Sequence, residues 1–98
     1  MKLLVSQLRD YLHQVDSENL ELVKTDKTPK RITLQATYSN DIKRYKIWVE
    51  VADGKEIETL HVITAKNQDR NFATADAIFS FVKNELGFSV PVSFLNYK

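Results

Sequence analysis

Ninety-eight residues without a cysteine, 28% of them charged and 43% hydrophobic, fit one folded domain and exclude a disulfide framework and every thiolate metal site. The formal net charge of +1 conceals an uneven distribution. Residues 24–46 hold Lys24, Lys27, Lys30, Arg31, Lys43, Arg44 and Lys46 against Asp26 and Asp41, a balance of +5, whereas residues 1–23 and 47–98 each come to −2; such a basic middle suits either a polyanionic partner or an ordinary solvated surface.

In chain order, Met1-Lys2-Leu3-Leu4-Val5 resembles the opening of a leader peptide for three residues only. Ser6, Gln7, Arg9 and Asp10 then interrupt it, so no signal peptide or membrane span is expected and the chain reads as cytoplasmic. Leu4, Leu8, Tyr11, Leu12 and Val15 recur at the spacing of an amphipathic helix. Asp16-Ser17-Glu18-Asn19 prefers turns and is expected to end it. Leu20-Glu21-Leu22-Val23-Lys24 reads as a short strand, or as a further helical turn capped by Ser17, and Thr25 to Lys30 as a loop containing Pro29.

Two stretches then alternate without a break. In Arg31 to Tyr38, Ile32, Leu34, Ala36 and Tyr38 share one side; in Arg44 to Val51, Tyr45, Ile47, Val49 and Val51 do. With Asn40-Asp41 as a two-residue hairpin turn, Ile32 faces Val49, Leu34 faces Ile47 and Ala36 faces Tyr45. On the other side Arg31 faces Glu50, Thr33 faces Trp48, Gln35 faces Lys46 and Thr37 faces Arg44. A two-residue turn at Asp53-Gly54 adds a third strand, with Leu60 and Val62 in the core, Thr59 beside Trp48 and His61 beside Lys46. A three-residue loop with a glycine bulge would instead bury Ile57 and Ile63.

Lys66 to Arg70 is polar loop, after which Asn71 or Thr74 can cap a helix carrying Ala75, Ile78, Phe79, Val82 and Leu86 on one face. Asp76 and Lys83 suit its dipole, and Gly87 is the expected left-handed terminator. Phe88 to Phe94 alternates again; Pro91 assigns this last strand to an edge. The layout is α+β in one domain spanning 1–98: a two-layer antiparallel β-meander with an N-terminal and a C-terminal helix on one face, in the order α-β-β-β-β-α-β.

Chemistry has little footing. His13 and His61 lie on different elements, Asp10 and His13 suit a surface pair, and Glu56 and Glu58 share one strand face near a turn, a pairing common without acid–base work. Gly54 and Gly87 are accounted for as a turn and a cap, which leaves no phosphate-cradling loop. No enzyme, cofactor or metal is therefore expected. Trp48 is the informative residue, because the register sends its indole to the sheet face away from the helices, among Arg44, Lys46 and His61. It packs there across the strands, anchors a protein contact, or stacks on a single-stranded nucleic acid. One aromatic on that face is fewer than sheet-surface RNA binders use. The expectation is a small non-enzymatic module that binds a protein partner through the outer sheet face or edge strands, as regulators, inhibitors and immunity or counter-defence proteins do. Trp48, His61, Lys46, Arg44, Arg31 and Gln35 form its surface. A homodimer joined by sheet faces or by C-terminal edge strands is one form of that contact, and a nucleic-acid binder using the basic band with Trp48 is the alternative. No membrane partner is expected.

Overall fold

The alternating stretch around Trp48 becomes the central strand of the sheet in the computed structural model, which describes residues 1–24, 28–87 and 90–95. The elements follow as β1 (Lys2–Leu4), α1 (Val5–Lys24), β2 (Arg31–Ser39), β3 (Arg44–Ala52), β4 (Ile57–Ile63), β5 (Asn71–Phe72), α2 (Ala75–Phe81) and β6 (Val92–Leu95). Across the sheet the order is β1-β4-β3-β2-β6, with β5 also paired to β3. The α+β class and the helix near each end agree with the sequence reading. The meander is only the middle of the sheet: β2, β3 and β4 pair antiparallel, while both edges, β1 on β4 and β6 on β2, are parallel. Residues 25–27 and 88–89, which hold part of the expected loop and the start of the expected last strand, lie outside the described residues.

One core joins the layers. Leu8, Leu12 and Val15 of α1 and Ile78, Phe81, Val82 and Leu86 from the second helical segment pack with Leu34, Ala36, Ile47, Val49, Val51, Leu60 and Val62 of the sheet. Both helical segments therefore cover the same face. Eight of these side chains are wholly shielded from solvent, and burying a leucine or valine of this kind contributes about 1.5–3 kcal/mol.

The strand expected at Leu20–Lys24 is a correction: α1 runs unbroken to Lys24. Its polar run does not turn because the side chains bond elsewhere. Ser17 Oγ donates back to the His13 carbonyl at 3.0 Å, a bond that a helix tolerates. Asn19 clasps the backbone of Lys30, donating from Nδ2 to its carbonyl at 2.9 Å and accepting its N–H at 2.8 Å, and Glu18 pairs with the Lys30 ammonium at 3.3 Å. Residues that favour turns thus tie the helix to the entry of β2. At the other end the strand β1 takes Leu4, and the Gln7 side chain accepts the Leu4 N–H at 2.9 Å.

Both hairpins are slipped by two residues from the expected pairing. Ile32 pairs with Val51, Leu34 with Val49, Ala36 with Ile47 and Tyr38 with Tyr45; Leu60 pairs with Val49 and His61 with Trp48. The loops have four residues, 40–43 and 53–56, rather than two. In the first, Lys43 rather than Asn40 or Asp41 takes the left-handed conformation, at φ 54°. In the second, the Asp53 carboxylate accepts the N–H groups of Lys55 (3.0 Å) and Glu56 (2.9 Å), closing a turn that Gly54 enters at φ 93°. These bonds, that from Glu56 foremost, hold the Asp53 carboxyl below its ordinary pKa. A slip of two keeps every side chain on its expected face, since the side-chain period is also two.

Thr74 caps α2, its Oγ1 accepting the Ala77 N–H at 3.1 Å. The helix ends in a π-helical turn, Val82–Leu86, in which the Gly87 N–H reaches the Val82 carbonyl at 3.1 Å and Gly87 adopts φ 77°. Phe79, expected in the core, lies outside it. The wider turn brings Phe81 and Val82 onto the buried face together with Ile78 and Leu86. Among the described residues, no helix is long and apolar enough to cross a membrane.

Candidate functional site

The face of the sheet away from the helices carries the residues singled out from the sequence. Gln35, Trp48 and His61 form one row across β2, β3 and β4, continued by Lys2 on β1 and Ser93 on β6. Lys46 follows Trp48 on the same face, opposite Thr37 and Asn71. Arg44 and Arg31 stand at opposite ends of the β2–β3 ribbon, opposite Ser39 and Ala52, on the order of 25 Å apart at the rise of a strand. Four of the six candidates therefore converge, and the two arginines do not.

Trp48 is half-buried and hydrogen-bonded within its own sheet. Its Nε1–H donates to one oxygen of Glu50 at 3.1 Å, and Gln35 Nε2 donates to the other at 3.2 Å. The carboxylate thus holds the indole and the amide as one unit, and it places a negative charge in the middle of the basic face. Gln35 Oε1 and Thr37 Oγ1 are shielded from solvent and meet no hydrogen-bond partner among the described residues. Where β4 parts from β3 and β5 takes its place, a cleft of about 270 Å³ opens between Lys46, Trp48, His61, Asp69 and Arg70. Arg70 is committed to the opposite layer: its Nη2 pairs with Glu85 at 2.8 Å, and its guanidinium lies 5.3 Å from the ring centres of both Phe72 and Phe81. That placement makes it a staple between β5 and the second helical segment.

A second surface lies at the corner where β2, β3 and β6 extend past the helices. Tyr38 and Tyr45 meet at 5.2 Å between ring centres, Tyr45 and Phe94 at 5.9 Å edge to face, and Phe94 and Phe79 at 5.9 Å. This continuous run of rings stays open to water: Tyr38 is 42% exposed, Phe79 51% and Phe94 40%, with Ile42 and Leu95 also exposed. Sequence reading missed it. Tyr38 and Phe79 fell on faces expected to be buried, and only the positions of Tyr38 and Phe94 at the ends of their expected strands hinted that cover would run out there.

The remaining polar groups serve structure. Glu58, on the helix-facing side of β4, accepts the Tyr11 hydroxyl at 2.6 Å. That bond, then burial and the nearby charges of Glu58 and Glu18, push the Tyr11 pKa up to about 12. Glu56 lies in the 53–56 loop and Glu58 on β4, and both line a cleft of about 320 Å³ together with Lys30 and Asp53. Among the described residues no three His, Asp or Glu side chains gather as a metal site would require. In comparison with known proteins, no family model, no curated protein and no solved structure matches this chain, so a functional reading rests on its own residues.

Proposed function

We propose that this chain is a cytoplasmic, non-enzymatic binding module whose partner is a protein, seated on the aromatic corner and the adjoining edge strand β6. The observation that carries the reading is the run Tyr38–Tyr45–Phe94–Phe79, three of whose rings are 40–51% exposed. Exposed aromatic side chains in contact with one another are the composition of the centre of a protein interface, and water gains nothing from them. Trp48 fits this role less well, since its N–H is already bound by Glu50 and its ring is half-buried.

Affinity capture from the native host tests the reading with full-length bait carrying Phe79→Ser, Phe94→Ser or Trp48→Ala. Loss of the captured protein in both phenylalanine variants, with folding retained, is the expected result. An unchanged capture by both would overturn it. A second reading, a nucleic-acid binder, draws on Lys2, Arg31, Arg44 and Lys46 on the outer sheet face against Glu50 alone on the facing strands β1–β4, together with the cleft beside Trp48.

A further inference from the structure

Resting on that reading of the corner, we propose that its occupant is a second copy of this chain, with the two β6 strands paired antiparallel across a two-fold axis. The backbone of β6 is prepared for it. Leu34 is the partner of Val92 in the parallel pair, and its N–H bonds the Pro91 carbonyl at 2.9 Å. In a parallel ladder that pattern turns the N–H and C=O of Val92 and Phe94 away from β2. Among the described residues no strand lies on that side. Pro91 precedes the strand, so its missing donor does not interrupt the outward groups. With the axis at Ser93, Val92 of one copy stands opposite Phe94 of the other, and every outward donor meets an acceptor.

The uncharged strand favours the copy over a charged occupant. In a two-fold contact the residues near the axis meet their own equivalents, so a charge there would face its like. The described strand β6, Val92-Ser93-Phe94-Leu95, which lies at the axis, has none. The lysines that normally protect an edge strand from self-pairing are absent from β6. Contact through the outer sheet faces would instead set Arg31, Arg44 and Lys46 against the same basic face of the other copy. The three exposed rings offer on the order of 250 Å² of apolar surface per copy. That is about a third of the ~800 Å² each partner gives to a standard interface, before Val92, Ile42, Leu95 and the strand backbone are added.

Sedimentation equilibrium of the full chain between ~1 and ~100 µM is expected to give twice the mass of one chain. Because the chain has no cysteine, a Ser93→Cys variant under mild oxidation can crosslink only to another copy. It is expected to run at doubled mass on a non-reducing gel, and a Ser17→Cys variant on α1 is not. Phe94→Asp is expected to sediment as a monomer with an unchanged circular dichroism spectrum. A monomer throughout that range overturns the proposal, as does a dimer that Ser93→Cys fails to crosslink. If the chain is monomeric but Phe94→Ser still loses a captured protein, the corner binds another protein; if it is monomeric and captures nothing, both readings fall.

Discussion

Glu58 shows how one side chain can be misjudged from its neighbours in sequence. Beside Glu56 it reads as half of a carboxylate pair on a strand, yet it accepts the Tyr11 hydroxyl across the layers at 2.6 Å. The consequence appears at high pH. Tyr11 is pushed up to about 12 from 10.0, so the unfolded chain loses that proton first. The stabilisation is fully present below pH ~10 and is lost as pH rises through 12. Glu58→Gln should return the Tyr11 titration towards 10, lower the alkaline unfolding midpoint and cost about 1 kcal/mol at neutral pH, the low end for a hydrogen bond to a partly exposed charged group. The difference in phenolate absorbance between each protein and its Tyr11→Phe counterpart measures the first, and urea melts across pH the rest. Trp48 was legible to a different degree. Its face follows from alternation alone, but the clamp of Glu50 on its N–H depends on a side-chain rotamer that no spacing rule supplies.

At the scale of elements, α1 is the case where local preference lost to tertiary contact. Asp16-Ser17-Glu18-Asn19 is a turn-forming run, and in isolation the helix would have little reason to continue past it. The paired bonds between Asn19 and the Lys30 backbone, with the Glu18–Lys30 ion pair, give the last turns a partner about one loop away in sequence. Asn19→Ala should therefore fray the helix after Ser17 and destabilise the fold by about 1–3 kcal/mol, since it strips partners from two backbone groups of Lys30. Hydrogen exchange of the amides from Leu20 to Lys24 should rise, and those of Leu8 to Val15 should stay protected. Protection of residues 20–24 unchanged by the substitution would show that packing alone extends the helix. The hairpins teach the complementary lesson. Alternation assigned every strand residue to its face, and the pairing moved by two because loop closure, with Lys43 at positive φ and Asp53 binding two amides, favours four residues.

Over the whole molecule the charges separate by layer. The outer sheet face holds Lys2, Arg31, Arg44 and Lys46, while α1 carries Asp10, Asp16, Glu18 and Glu21 against Arg9 and Lys24. A field of this kind attracts polyanions to one side only, and any such binding must weaken as salt rises because neutralised phosphates release counterions. If the second reading holds, a labelled single-stranded RNA should shift at low salt. Its apparent affinity should then fall linearly on a log–log plot, with a slope lessened by about one for Lys46→Gln. No shift at low salt ends that reading and leaves the aromatic corner as the sole candidate. The amino-acid sequence by itself determined the α+β class, the buried stripe of α1, the burial of Ile78, Val82 and Leu86, the faces of β2, β3 and β4, the Gly87 terminator and the edge position of β6, because each follows from the 3.6- or 2-residue period or from the backbone of one residue. Only the tertiary structure decided the register of the hairpins, the parallel edges, the continuation of α1 and the exposure of Tyr38, Phe79 and Phe94. Those depend on where one element stops covering another, and that distance is set by contacts between residues far apart in the chain.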